Sequence, residues 1–267
     1  MNQPNDPAVI SNSWDSLKQF TPARIALGRA GISLTTRASL DFQLAHALAR
    51  DAVNTPIDFS EIELSLSLMG LESLTLNTQA ENQQHYLQRP DLGRVLNDVT
   101  LDCLQQTTPN YTDAVIVVAD GLSSKAIEHH ALPFLSLLLP KLRENNYCLA
   151  PVCLVKHGRV AIGDAIAEHY DARLCIVLIG ERPGLSSPDS MGLYFTYQAR
   201  SKLSTDADRN CISNIHSNGL SYEQALKKLI FLITEAEKLK LTGVNLKDET
   251  TEMTTDNQLQ WVNFLLD

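Results

Sequence analysis

Apolar positions change their spacing partway along this chain. From Ser39 onward Leu40, Leu44, Ala47 and Leu48 recur at helical intervals, with Asp41 near the start and Arg50 near the end complementing the dipole, which predicts a helix over 38–52. Ser60 with Glu61 and Glu63 gives an N-terminal signal for a second helix reaching about residue 74, and 79–86 supplies a third before Arg89-Pro90-Asp91. The stretch 21–110 is therefore expected to be a helical N-terminal domain. It follows a polar arm over 1–20 that ends at Thr21-Pro22.

Farther on the period shortens. Residues 113–119 form a β-branched run that stops at Asp120-Gly121 and gives way to helical spacing through Leu142. A second apolar run, 148–155, leads into Gly158–Gly163 and a helix ending near Tyr170, and a third, 173–179, runs into Gly180-Glu181-Arg182-Pro183-Gly184. Residues 193–197 read as a fourth strand, followed by a long polar loop and a final helix over 221–240. This alternation predicts an α/β fold over 111–267, with a mainly parallel, helix-covered sheet and a polar surface segment at 248–257.

Composition narrows the function. The chain has 267 residues, 44% hydrophobic and 20% charged, enough apolar surface for a sizeable core. Its 22 basic and 31 acidic residues give a net charge of −9, which argues against binding to nucleic acid or anionic lipid. No apolar run approaches the ~18 residues of a membrane span, and the first 20 residues lack the basic and apolar regions of a secretory signal, so an intracellular protein is expected. Five cysteines without a CxxC pair suit neither a disulfide framework nor a structural zinc site.

Ligands of such sheets gather beyond the carboxyl ends of the strands, which singles out the loops at 120–124, 156–163 and 180–188. None carries G-x-G-x-x-G, and Gly158-Arg-Val-Ala-Ile-Gly163-Asp164 has the glycine spacing of a phosphate loop without its Lys and Ser/Thr. Those two glycines either admit a ligand or simply permit a turn and a helix start. Glu181, between a buried-type strand and a Pro/Gly loop, is either an acceptor for amide or hydroxyl donors or the partner of an arginine. Ser186 and Ser187 have no histidine positioned by sequence to activate them, and G-x-S-x-G is absent. Cys211 lies in the polar setting Arg209-Asn210-Cys211-Ile212-Ser213-Asn214, where a functional thiol competes with a plain loop role. His129 and His130 are adjacent on a predicted helix and should face different ways, so no metal site is expected.

The blocks Arg24-Ile-Ala-Leu-Gly28-Arg29-Ala-Gly31, Leu40-Asp41-Phe42 with Ala49-Arg50-Asp51, Arg89-Pro-Asp-Leu-Gly93, Val118-Ala-Asp120-Gly121-Leu-Ser123, Gly158-Arg-Val160-Ala-Ile-Gly-Asp164, Gly180-Glu181-Arg-Pro-Gly184 and Arg209-Asn-Cys211-Ile-Ser-Asn214 occur in one order. In that order they resemble the small subunit of adenosylcobalamin-dependent ethanolamine ammonia-lyase, over a span from about Arg24 to Leu241. The resemblance implies a Rossmann-like cobalamin-covering domain in a heteromeric lyase that converts ethanolamine to acetaldehyde and ammonia. It assigns the substrate site to the large subunit, leaves this chain without a catalytic residue, and places the enzyme in the cytoplasm and in a bacterial microcompartment.

The family's cobalamin contacts fall on Val160, Glu181 and Cys211, each expected on the sheet rim, with Arg159 as a further candidate. Corrin edges bear neutral amides and apolar surface, so a carboxylate acceptor, a packing Val and a small thiol suit them. The histidine-donating D-x-H-x-x-G signature is absent, and no histidine is expected to ligate cobalt. Two rival readings stand beside this one: a stand-alone Rossmann-like nucleotide-dependent enzyme, disfavoured by the missing phosphate fingerprints, and a structural adaptor without a ligand of its own.

Overall fold

The computed structural model describes residues 8–106, 112–248 and 250. In chain order these form α1 (Thr36–Asn54), α2 (Ser60–Leu68), β1 (Ser73–Asn77), α3 (Gln83–Gln88), α4 (Asp98–Gln106), β2 (Ala114–Ala119), α5 (Ser124–Glu144), β3 (Val152–Lys156), α6 (Ile162–His169), β4 (Leu174–Gly180), β5 (Met191–Tyr197), β6 (Asn210–Ile215) and α7 (Tyr222–Leu239). Hydroxyl caps start the long helices: Thr35 accepts from the Ala38 amide, Ser123 from Ala126, and Ser221 from Gln224 in a capping box. Lys240 ends α7 in the left-handed region at φ +58°.

The strands build one six-stranded sheet in the order β1-β3-β2-β4-β5-β6. β1, β3, β2 and β4 are parallel, and the apolar runs of β2, β3 and β4 are buried almost throughout, as a sheet covered on both faces requires, whereas in the edge strand β1 only Leu76 is buried. β5 is antiparallel to β4, and β6 is antiparallel to β5, so the sheet is mixed rather than uniformly parallel. On one face Ile116, Val118, Ile176, Leu178, Leu193 and Ile212 pack against α2, α5 and α7. On the other Val115, Val117, Val155, Cys175 and Val177 meet Leu104 of α4 and Ile162 and Ile166 of α6.

Several elements depart from the sequence expectation. The second helix stops at Leu68, not near residue 74, because Gly70 turns the backbone at φ +69° and Ser73–Asn77 becomes the edge strand β1. The third helix is displaced to Gln83–Gln88, and α4 was not anticipated. The polar loop after residue 197 contains β6, which pairs with β5. Within the predicted arm, Ile10 and Arg29 exchange backbone hydrogen bonds of 2.8 and 2.9 Å, and Asp15–Phe20 forms a 3-10 helix. Of the predicted polar segment 248–257, only residues 248 and 250 are among those described.

Candidate cofactor-binding cleft

The chain runs from β2 through α5 to β3 on one side, then through α6 to β4 on the other, so the connections leave in opposite senses from the neighbouring parallel strands β2 and β4. This is where an α/β sheet opens a crevice at its carboxyl ends. The loops leaving β2 and β4 touch backbone to backbone there: Leu122 N donates to Gly180 O at 2.9 Å. Gly121 has φ +58°, and a Cβ on it would stand 2.3 Å from that same oxygen, so the approach needs glycine.

Two confluent lobes open beside this contact. One, of about 420 Å³, is lined by Gly121, Arg159, Val160, Gly180, Glu181, Arg182 and Tyr194. The other, of about 390 Å³, shares Arg159, Val160 and Tyr194 and adds Arg94, Asp206 and Arg209. Their position follows from the helix arrangement. α5 and α7 cover the first face as far as β6, whereas the second core ends around Tyr194, leaving Cys211 and Ser213 of β6 exposed.

Buried polar contacts hold the lining in place. Asp120, at the end of β2, accepts from the amides of His157 at 3.0 Å and Gly158 at 3.1 Å, which fixes the segment bearing Arg159 and Val160. Burial pushes its carboxyl above the ordinary carboxylate range, against the pull of those donors. Tyr86 donates its hydroxyl to Gly158 O at 3.0 Å, and the Arg159 guanidinium lies 5.2 Å from its ring centre. Asp164 of α6 receives Arg209 through both carboxylate oxygens, at 2.6 and 2.7 Å, with both side chains almost fully buried. That pair ties the start of α6 to the start of β6.

The three residues assigned by resemblance lie unequally. Val160 and Glu181 line the same lobe. Glu181 Oε2 accepts from Ser190 Oγ at 2.5 Å and from Asn214 N at 3.2 Å. Among the described residues Glu181 pairs with no arginine, and its Oε1 accepts no hydrogen bond. Cys211 is not on the rim. It sits within β6 opposite Tyr194, three positions inside the Gly180–Met191 level, and its side chain is hydrogen-bonded to that tyrosine. Partial burial pushes the Cys211 thiol up, the Tyr194 bond pulls it down, and the Glu181 charge raises it further. The result is a less acidic thiol than a nucleophile needs.

Sequence reasoning missed Tyr194, Tyr86 and Ser190, and it placed Asp120 on the ligand side of the sheet without its role of holding the 157–158 backbone. Asp120-Gly121 after a buried strand was the one available signal, while the others depend on contacts across the sheet.

A carboxylate acceptor, several guanidinium groups and glycine-lined backbone surround an open crevice at the edge of a mixed α/β sheet. The family profile described as ethanolamine ammonia-lyase light chain (EutC) matches residues 11–247. An "Ethanolamine ammonia-lyase small subunit" of Pseudomonas fluorescens (strain Pf0-1) is 51% identical over 267 residues, covering 98% of this chain and 97% of the relative. Another of that description, from Pseudomonas aeruginosa (strain LESB58), is 50% identical over 271 residues, covering 100% and 99%. The chain belongs to the ethanolamine ammonia-lyase small-subunit (light-chain) family. Among the described residues no helix is long and apolar enough to cross a membrane.

Proposed function

We propose that this chain is the cobalamin-covering subunit of a heteromeric ethanolamine ammonia-lyase, with a Rossmann-like sheet that holds adenosylcobalamin in the cleft between β2, β4 and β5. The observation that carries this reading is the free Oε1 of Glu181, an ionisable acceptor fixed by Ser190 and Asn214 on the wall it shares with Val160. The chemistry of the lining fits the group. Glu181 accepts from a corrin amide, Val160 packs on apolar edge, and Cys211 and Tyr194 offer a small, weakly polar surface beside them. Arg159, which lines both lobes, supplies donors for side-chain amide oxygens. Bound there, adenosylcobalamin supplies radical chemistry through its cobalt–carbon bond. This chain's residues bind, orient and exclude water.

The substrate site belongs to a large subunit in this reading. α1 carries the surface for it: Leu40, Leu44 and Leu48 follow one another at helical spacing on one face, Phe42 lies on another, all four are exposed, and Ala52 is the one residue of the helix that is buried. The assembled enzyme then occupies the cytoplasm and a bacterial microcompartment, which cell fractionation tests.

Glu181→Gln tests the cofactor role. Loss of one charge-assisted hydrogen bond is worth about 1.5–3 kcal/mol, so half-saturation by adenosylcobalamin in the reconstituted enzyme should rise roughly tenfold to a hundredfold while assembly persists. An unchanged half-saturation with normal turnover makes the subunit an adaptor with no hold on the cofactor at Glu181.

A further inference from the structure

On the first face of the sheet, away from the cleft, α5 carries His129 and His130. Successive helical side chains diverge, yet both rings turn a nitrogen toward one atom. Asp189 Oδ2 lies 3.3 Å from His129 Nδ1 and 3.5 Å from His130 Nε2. The other nitrogen of His130, Nδ1, is 2.7 Å from the Tyr222 hydroxyl of α7. His130 is only 6% exposed in its side chain, and its Nε2 makes no hydrogen bond. A buried nitrogen aimed at a carboxylate without bonding to it asks for a third participant.

We propose that His129, His130 and Asp189 bind a divalent transition metal ion of the zinc class. Nitrogen and oxygen ligands at about 2.0–2.1 Å around a tetrahedral ion stand about 3.3–3.4 Å apart, and the two histidine-to-aspartate separations match two edges of that figure. The three ligand atoms already lie within 4.8 Å of one another, and the exposed His129 ring has room to turn and shorten the third edge. Tyr222 completes the arrangement: with Nδ1–H donated to its oxygen, His130 presents the Nε2 lone pair inward, as metal-bound histidines do. Burial disfavours protonation of His130, the nearby Asp189 charge only partly offsetting it. Three protein ligands leave one position for water or for a donor from elsewhere.

The ion would fasten the 181–190 loop to α5. Ser123, the N-cap residue of that helix, already donates its hydroxyl to Pro188 O at 2.9 Å, so the clamp adds to an existing attachment. The inference does not depend on the cofactor reading, because none of the three ligands lines the cleft.

Equilibrium dialysis of the chelator-stripped full-length chain against Zn²⁺ tests it, comparing wild type with His129→Ala and Asp189→Asn. His129 is exposed, so its loss leaves the fold intact, and circular dichroism of each variant checks this. Exposed thiols such as Cys148 can take up zinc independently, so the readout is the difference between wild type and variants. Wild type should bind one more Zn²⁺ per chain than either variant, with that site weakened at least ~10-fold in each. Equal stoichiometry and affinity in wild type and either variant, or no saturable binding at all, overturns the proposal.

Discussion

Replacing Asp164 by Asn changes almost no volume and removes one charge from a buried pair. Arg209 is held by that carboxylate in a two-point contact of 2.6 and 2.7 Å, with side-chain exposures of 3% and 5%. After substitution the guanidinium stays buried and faces a neutral amide. Its remaining anion, Asp206, lies 3.6 Å from Nε but is 88% exposed, so water screens what it returns. Breaking a buried pair from one side costs about 3–5 kcal/mol. For a chain of this size each kcal/mol shifts Tm by about 2–4 °C, so the melting temperature should drop by roughly 6–20 °C. Thermal and denaturant melts followed by circular dichroism measure it. A double variant, Asp164→Leu with Arg209→Met, should lose less than Asp164→Asn alone, because no charge is left stranded. A loss below about 1 kcal/mol for Asp164→Asn would refute the reasoning, since it would mean that water reaches Arg209 as easily as it reaches a surface pair.

Gly121→Ala should destabilise by about 2–5 kcal/mol, combining left-handed backbone strain with a Cβ forced onto Gly180 O; denaturant midpoints measure it, and a near-neutral result contradicts the close approach. Cys153, its thiol pushed up to about 12 by burial, and the equally buried Cys175 should resist alkylation at pH 8 until the chain unfolds, while the exposed Cys148 reacts in the native state. Mass spectrometry of the labelled peptides reads this out, and adenosylcobalamin with the large subunit should slow labelling of Cys211. Asp248 is also pH-sensitive: burial raises its carboxyl, but Lys228 and the Thr250 hydrogen bonds outweigh it and hold the group below 3.8. A depressed folded value means that its contribution is present above about pH 3.8 and disappears as pH falls through the folded value. The stability gap between wild type and Asp248→Asn should therefore narrow in acid, and a gap independent of pH would contradict the ion pair.

The central sheet was legible because β2, β3 and β4 are continuous apolar runs that suit no surface position. β1 was not. Leu64, Leu66, Leu68, Leu71 and Leu74 maintain a leucine-rich stretch across Gly70, which hides the point where helix gives way to strand. β6 escaped notice for another reason: it is an edge strand covered on one face only, so Ile212 and Ile215 are its sole apolar positions amid Asn, Cys and Ser. In the cleft, strand order alone predicts that the loops bearing Val160 and Glu181 converge. Tyr194, Arg209 and Asp164 stayed invisible because their partners are fixed by cross-strand register and by a contact between residues 45 positions apart. Cys211 was misplaced with them, since a residue read as loop has no register.

The edge strand β1 also sets a timetable. Its neighbour is β3, and Ser73 pairs with Val152, 79 residues later in the chain. At a synthesis rate of about 5–20 residues per second, that partner is made roughly 4–16 s after β1. The β4–β5 hairpin, by contrast, joins residues separated by a short loop and closes as soon as it is made. During the interval the apolar Leu74 and Leu76 have no strand to pair with, although both are destined for the second core. Slow synthesis through 78–151 therefore prolongs exposure of an aggregation-prone edge, whereas the far side of the sheet carries no comparable delay.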